Sequence, residues 1–209
     1  MTGPKKGKLI VISNVYCPCA SCTDEEERLK KCREHLDFDI ANVTIIFKEI
    51  KFENKGTDLK KNASKEEMLE FLKKKISEID NSAASYDSLA VVILSGKVDC
   101  EAMEVYDKTG VVVPRSEIQQ IVCNSDKLKG KPKIIIIQTY NFKEKVPIDN
   151  IDASDAESGK IKIRGEPNSE DLFVVSSFIT SGWSLDGWKG HARILFYSGS
   201  YTCHEEVCL

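Results

Sequence analysis

The sequence predicts an α/β domain built on a mostly parallel central sheet of about five to six strands, with helices on both faces. Three observations predict it. The stretch KPKIIIIQTYNF (residues 131–142) has a turn signal and a proline, then four consecutive isoleucines, then a polar tip. That is the pattern of a parallel strand buried on both faces and ending at the carboxyl edge of a sheet. Apolar, branched runs alternate with segments of helical periodicity along most of the chain, which favours parallel strands joined by helical crossovers. Helix-start signals stand between the strands, a Ser, Thr or similar cap followed three residues later by Glu.

Taken in order, residues 8–15 (KLIVISNV) read as the first strand. Residues 16–22 read as a loop rich in Cys, Pro and Ser. Thr23 with Glu26 caps a helix expected to run to about Leu36, with Leu29, Cys32 and Leu36 on one face. Residues 42–52 (NVTIIFKEIKF) read as a second strand, and residues 53–62 as a polar, Lys-rich loop. Ser64 with Glu67 forms a second capping box. Behind it Met68, Leu69, Leu72, Ile76 and Ile79 recur at helical spacing. Residues 89–95 (LAVVILS) are the third core strand. Residues 105–113 form a small hairpin turning at Asp107–Gly110, and residues 114–123 a further helix. The isoleucine strand is the fourth and residues 171–178 (DLFVVSSF) the fifth. Residues 192–197 (ARILFY) fit a sixth strand or a helix start.

Composition bounds the function. A chain of 209 residues, 41% hydrophobic and 30% charged, is long enough for one domain with a sizeable core. The net charge of −3 and pI near 5.8 argue against a nucleic-acid partner. No run approaches the roughly 20 apolar residues of a membrane helix. The amino-terminal apolar run lacks a cleavage site, so it reads as a strand and not a signal peptide. The expected location is cytoplasmic, with the eight cysteines reduced. No Gly-rich phosphate loop follows the first strand, and no cofactor is expected. Cys17, Cys19 and Cys22, with Cys203, His204 and Cys208 at the far end, carry zinc-ligand chemistry, but no paired C-x-x-C knuckles occur. Free thiols are therefore the favoured reading, above a metal site or an oxidation-sensitive cluster.

On ordered segments, the chain resembles the caspases, cysteine peptidases that cut after aspartate. YDSLAVVILSG resembles the family's strand ending in Leu-Ser-His-Gly. VYDKTGVVVPRSEIQQI resembles the hairpin and helix that follow it. LKGKPKIIIIQ resembles the Leu-x-Gly-Lys-Pro-Lys strand ending in Gln-Ala-Cys-x-Gly, and is the most specific of the matches. DLFVVSSFITSGWSLDG is a looser likeness to the small-subunit strand and loop. The resemblance implies a caspase-like sandwich in one compact domain. Residues 1–142 form a large-subunit-like region, residues 143–168 an intersubunit-type loop, and residues 169–209 a truncated small-subunit-like region. The shortness of that last region implies loss of the strand used for symmetric dimerisation.

The chemistry that the family needs is absent from the matching positions. Attack on an amide carbonyl requires a thiolate, a base and oxyanion donors. Two residues after Gln138, the nucleophile's position holds Tyr140, a phenol with an ordinary pKa of about 10 that stays protonated at neutral pH. The position of the base, after Leu94 and Ser95, holds Gly96. These two lie 44 residues apart, near the roughly 50 that separate the family's base and nucleophile. The glycine expected after the nucleophile is Phe142. An arginine that would grip a substrate carboxylate falls on Asp186, which would repel it. The second arginine, expected near residues 17–23, has no counterpart. Asp149, Asp152 and Asp155 lie where caspases are cut between subunits, and a solvated acidic loop explains them equally well.

The resemblance therefore implies a catalytically degenerate caspase homologue, with no peptidase activity of its own. Its expected partner is an active caspase paralogue, bound through a sheet edge to activate or to inhibit it. Two other readings stay open: a divergent peptidase using a displaced thiol such as Cys100 or Cys123, and a cysteine-rich metal- or redox-responsive binding module.

Overall fold

The computed structural model describes residues 6–16, 25–97, 104–142, 162–163 and 171–181. Four long parallel strands form the centre of the sheet. In chain order they are β1 (Gly7–Tyr16), β4 (Leu89–Lys97), β7 (Lys133–Phe142) and β9 (Leu172–Ser181). Short strands finish the edges. β2 (Phe52–Glu53) and β3 (Leu59–Lys61) share the outer side of β1, and β8 (Lys162–Ile163) lies antiparallel against β9. The order across the sheet is β2–β1–β4–β7–β9–β8, with β3 also on β1. β5 (Val105–Tyr106) and β6 (Val112–Val113) form a separate antiparallel hairpin.

Helices cover both faces, as the alternation of elements predicts. α1 (Glu25–Glu49) lies on one face, where its Leu36, Ile40, Val43 and Phe47 pack against Leu9, Val11, Val92, Leu94 and Ile136 of the sheet. α2 (Lys65–Asn81) and α3 (Arg115–Cys123) cover the other, against Ile10, Ile12, Val91, Ile93, Ile135 and Ile137. Odd and even residues of each central strand thus enter opposite cores. This is why the strands read as unbroken apolar runs.

The Ser64 cap forms as its spacing predicts. The Ser64 hydroxyl accepts from the Glu67 N–H, and the Glu67 carboxylate accepts from the Ser64 N–H at 2.7 Å. Ser64→Ala should lower stability by about 1 kcal/mol in urea denaturation, with little change in the m-value. The hairpin turn also forms where expected. Gly110 adopts φ +85°, and a Cβ there would also meet the Tyr16 ring at 2.3 Å. Only glycine meets both conditions without strain.

Two expectations need correction. Residues 42–52 are not a strand: α1 continues unbroken to Glu49, and only Phe52–Glu53 pairs with β1. Val43 and Phe47 continue the inward stripe begun by Leu36 and Ile40, and burying that stripe outweighs the strand preference of Val, Thr and Ile. α1 ends in a left-handed residue, Lys51 at φ +69°, whose N–H bonds the carbonyl of Lys48. Second, residues 53–62 are not simply a loop. They carry a single 3₁₀ turn, Gly56–Asp58, and β3. Within residues 143–168, expected as an intersubunit-type loop, Lys162–Ile163 pairs with β9 as β8. The Thr23 cap and residues 192–197 lie outside the described residues.

Candidate functional site

The central strands run further than their apolar cores suggest, and this places the two key positions. β4 and β7 pair in register from Leu89 opposite Lys133 to Lys97 opposite Asn141. β9 continues the ladder from β7 as far as Ser181. The polar tip of the isoleucine run is therefore strand, held on both sides, and not a free loop. Gly96 and Tyr140 are direct partners across β4 and β7, and both are buried. Sequence matching alone brings them together by analogy; the ladder does so by register.

Residues opposite one another in a sheet share a face. Tyr140 therefore projects toward α1, in the same cluster as Val15, Leu36, Ile40 and Leu94. It is 3% exposed. Its hydroxyl donates to Oδ2 of Asp39, on the inner side of α1, and accepts from Gln138 Nε2 at 2.6 Å. Asp39 is 1% exposed, and its Oδ1 meets no hydrogen-bond partner among the described residues. Burial pushes the Asp39 carboxyl from near 3.8 up to about 6, partly offset by the bond from Tyr140. Burial, then the charge and hydrogen bond of Asp39, hold the Tyr140 phenol well above its ordinary value. A phenol so placed is a hydrogen-bond donor at neutral pH, and water has almost no access to it.

The opposite face of the same edge carries a row of neutral polar side chains. Asn14, Ser95 and Thr139 stand in one row across β1, β4 and β7. Asn14 accepts from the Ala63 N–H at 2.8 Å and donates to the carbonyls of Ala63 and Tyr106. The Ser95 hydroxyl accepts from the Tyr106 N–H at 2.8 Å and donates back to its carbonyl. Two polar side chains thus pin the start of α2 and the hairpin to the strand ends. Asp107 closes the hairpin turn by accepting from the N–H groups of Lys65, Thr109 and Val111. Burial would raise the carboxyl of Asp107, but a hydrogen bond from the Thr109 hydroxyl together with those from the N–H groups holds it below the usual range.

Asp39 has no place in the sequence reading, and Gln138 enters it only as the residue that fixes the position of Tyr140. Asp39 carried a usable signal. With the helix continued past Leu36, it falls beside Leu36, Ile40 and Val43 on the buried flank, an acid where the pattern calls for an apolar residue. Cys123 closes α3, half-buried, as the helical reading places it. Cys17, Cys19, Cys22, Cys100, Cys203, His204, Cys208, Asp149, Asp152, Asp155 and Asp186 lie outside the described residues. Among those described, no group of three or more His, Cys, Asp or Glu side chains could hold a metal ion. No described helix is long and apolar enough to cross a membrane.

Among curated proteins, none matches this sequence. One solved structure, described as the structure of pro-sf-caspase-1, is 20% identical and superposes with a TM-score of 0.49. The match covers 81% of this chain and 59% of that one, so the present chain spans less than two thirds of its length. The family comparison is broader: residues 6–193 match the caspase domain. With that match over most of its length, and a parallel sheet flanked by α1 on one side and α2 and α3 on the other, this chain belongs to the caspase-domain family.

Proposed function

We propose that this protein is a caspase-fold regulator without peptidase activity, which binds an active caspase and changes its rate of cleavage, in the control of apoptosis in the cytoplasm. The supporting observation is the pairing of Gly96 with Tyr140 at the carboxyl edge, with the phenol turned into the core and bonded to Asp39. General base catalysis needs a titratable group within hydrogen-bond reach of the nucleophile. A glycine offers none, and a buried, protonated phenol is no nucleophile. The acidic residue at Asp186, where the family resemblance places an arginine, supports the same reading for substrate capture.

The test has two arms. Purified protein should show no turnover of aspartate-directed peptides above the uncatalysed background. Mixed with an active caspase of the same cell, it should form a complex and shift that enzyme's rate, in either direction. Turnover that disappears on cysteine alkylation would instead establish a peptidase with a displaced thiol. Absence of any complex would remove the regulatory role. Tyr140→Cys is expected to gain no activity. A thiol there would lie in the core beneath α1, with no imidazole across the ladder.

A further inference from the structure

We infer that the outer face of α1 is a docking surface for a second copy of this chain, in an antiparallel, two-fold pairing centred on Ala41. α1 is apolar on two opposite sides. Its inner stripe is used by the core, as described above. Its outer side carries Phe38, Ala41 and Ile45, spaced as one stripe along the helix. Phe38 is 60% exposed and Ile45 56%, and Ala41 is exposed as well. Single exposed apolar residues are ordinary, but two large ones aligned with a small one on a helix face away from the core form a contact strip. Folding of the described domain does not use them.

The distribution of residues about Ala41 selects the partner. Phe38 lies three residues before Ala41 and Ile45 four after, so in an antiparallel pair each phenylalanine meets the isoleucine end of the other helix. The small side chain at the crossing allows close approach of the two axes. Glu34 and Lys48, both exposed, lie seven residues to either side of Ala41, two helical turns away. The two-fold axis sets Glu34 of each copy against Lys48 of the other, and does so twice. A parallel pairing would set Glu34 against Glu34 and Lys48 against Lys48, a repulsive arrangement. An isologous surface of this kind is self-complementary. One helix crossing buries less than the roughly 1,200 Å² of a strong interface, so the dimer forms in the micromolar range.

Sedimentation of the full chain from about 1 to about 100 μM at low salt tests this. The apparent mass should rise with concentration from 23.4 kDa toward twice that value. Phe38→Glu should weaken association at least ~10-fold. Glu34→Lys and Lys48→Glu alone should each weaken it ~5-fold, and the double reversal should restore it. All three side chains are exposed, so the circular dichroism of the variants should match the parent. A monomer across the whole range, or a dimer indifferent to Phe38→Glu, overturns the inference. Monomer in isolation with Phe38 required for binding an unrelated protein overturns it too.

Discussion

Asp58→Ala is expected to lower the stability of the folded domain by about 3–5 kcal/mol at neutral pH, the cost of breaking a buried ion pair from one side. Asp58 is 1% exposed and holds together two lysines from different elements. Its Oδ2 accepts from Lys8 Nζ at 2.6 Å and from the Lys55 N–H at 2.6 Å, and its Oδ1 lies 3.3 Å from Lys75 Nζ. Glu53 supplies a second anion, 3.3 Å from Lys8 and bonded by the Tyr86 hydroxyl. Glu78 reaches Lys75 from the rim at 2.7 Å. Removing Asp58 leaves Lys8 and Lys75 buried with too little compensating charge. The loss is a large share of the roughly 5–15 kcal/mol that holds a typical domain. Urea denaturation should show it as a fall in midpoint.

Two further results distinguish a charge effect from loss of packing. Replacing Lys8, Asp58 and Lys75 together by apolar residues of similar volume, with Glu53→Gln to remove the anion that Lys8 otherwise balances, should recover most of the stability, because the desolvation cost of all four charges is then removed. The pH dependence has a definite sign. Burial would raise the Asp58 carboxyl, but hydrogen bonds from Lys8, Lys55 and Lys75 and the charge of Lys8 hold it below its ordinary value. A depressed carboxyl adds stability above its unfolded pKa of about 3.9, and that stability is lost as the pH falls through the folded value. A loss below about 1 kcal/mol in Asp58→Ala would place these charges in contact with water.

Asp39→Asn should act in the opposite direction and stabilise the protein at pH 7 by about 1–3 kcal/mol. The folded carboxyl titrates near 6, above its ordinary value near 3.8. The folded state therefore holds the proton more tightly than the unfolded chain does. Its contribution is fully present below pH 4 and is lost as the pH rises through about 6. An amide keeps an acceptor for the Tyr140 hydroxyl and removes the buried charge. The difference in unfolding free energy between parent and variant should grow steadily between pH 4 and 6.5. Parallel curves over that range would show that Asp39 does not titrate there. The same charge links stability to the proposed lack of activity. Above pH 6 the anion sits against the phenol and opposes its ionisation further, just where a thiolate peptidase would be most active.

How much of this was legible in the sequence depends on how far apart the interacting residues lie. The isoleucine strand, the Ser64 box and the Asp107–Gly110 turn were readable because each is settled within a few residues. α1 was misread for the reason that makes it interesting. Phe38 and Ile45 on its outer face blur the helical period that Leu36, Ile40, Val43 and Phe47 would otherwise show, and residues 42–47 then look like a strand. The family resemblance put Gly96 and Tyr140 at matching positions without saying where the phenol pointed or what it touched.

Local propensity and apolar pattern, then, determined the class of fold and the parallel centre of the sheet, and the family resemblance marked the two residues at its carboxyl edge. Only the tertiary structure decided that Tyr140 turns beneath α1 onto Asp39, 101 residues away, and that Asp58 joins Lys8 across 50 residues. Such contacts have no local signal. They exist only once chain entropy has been overcome by burying both faces of the sheet, and the low dielectric of that interior is what makes them strong.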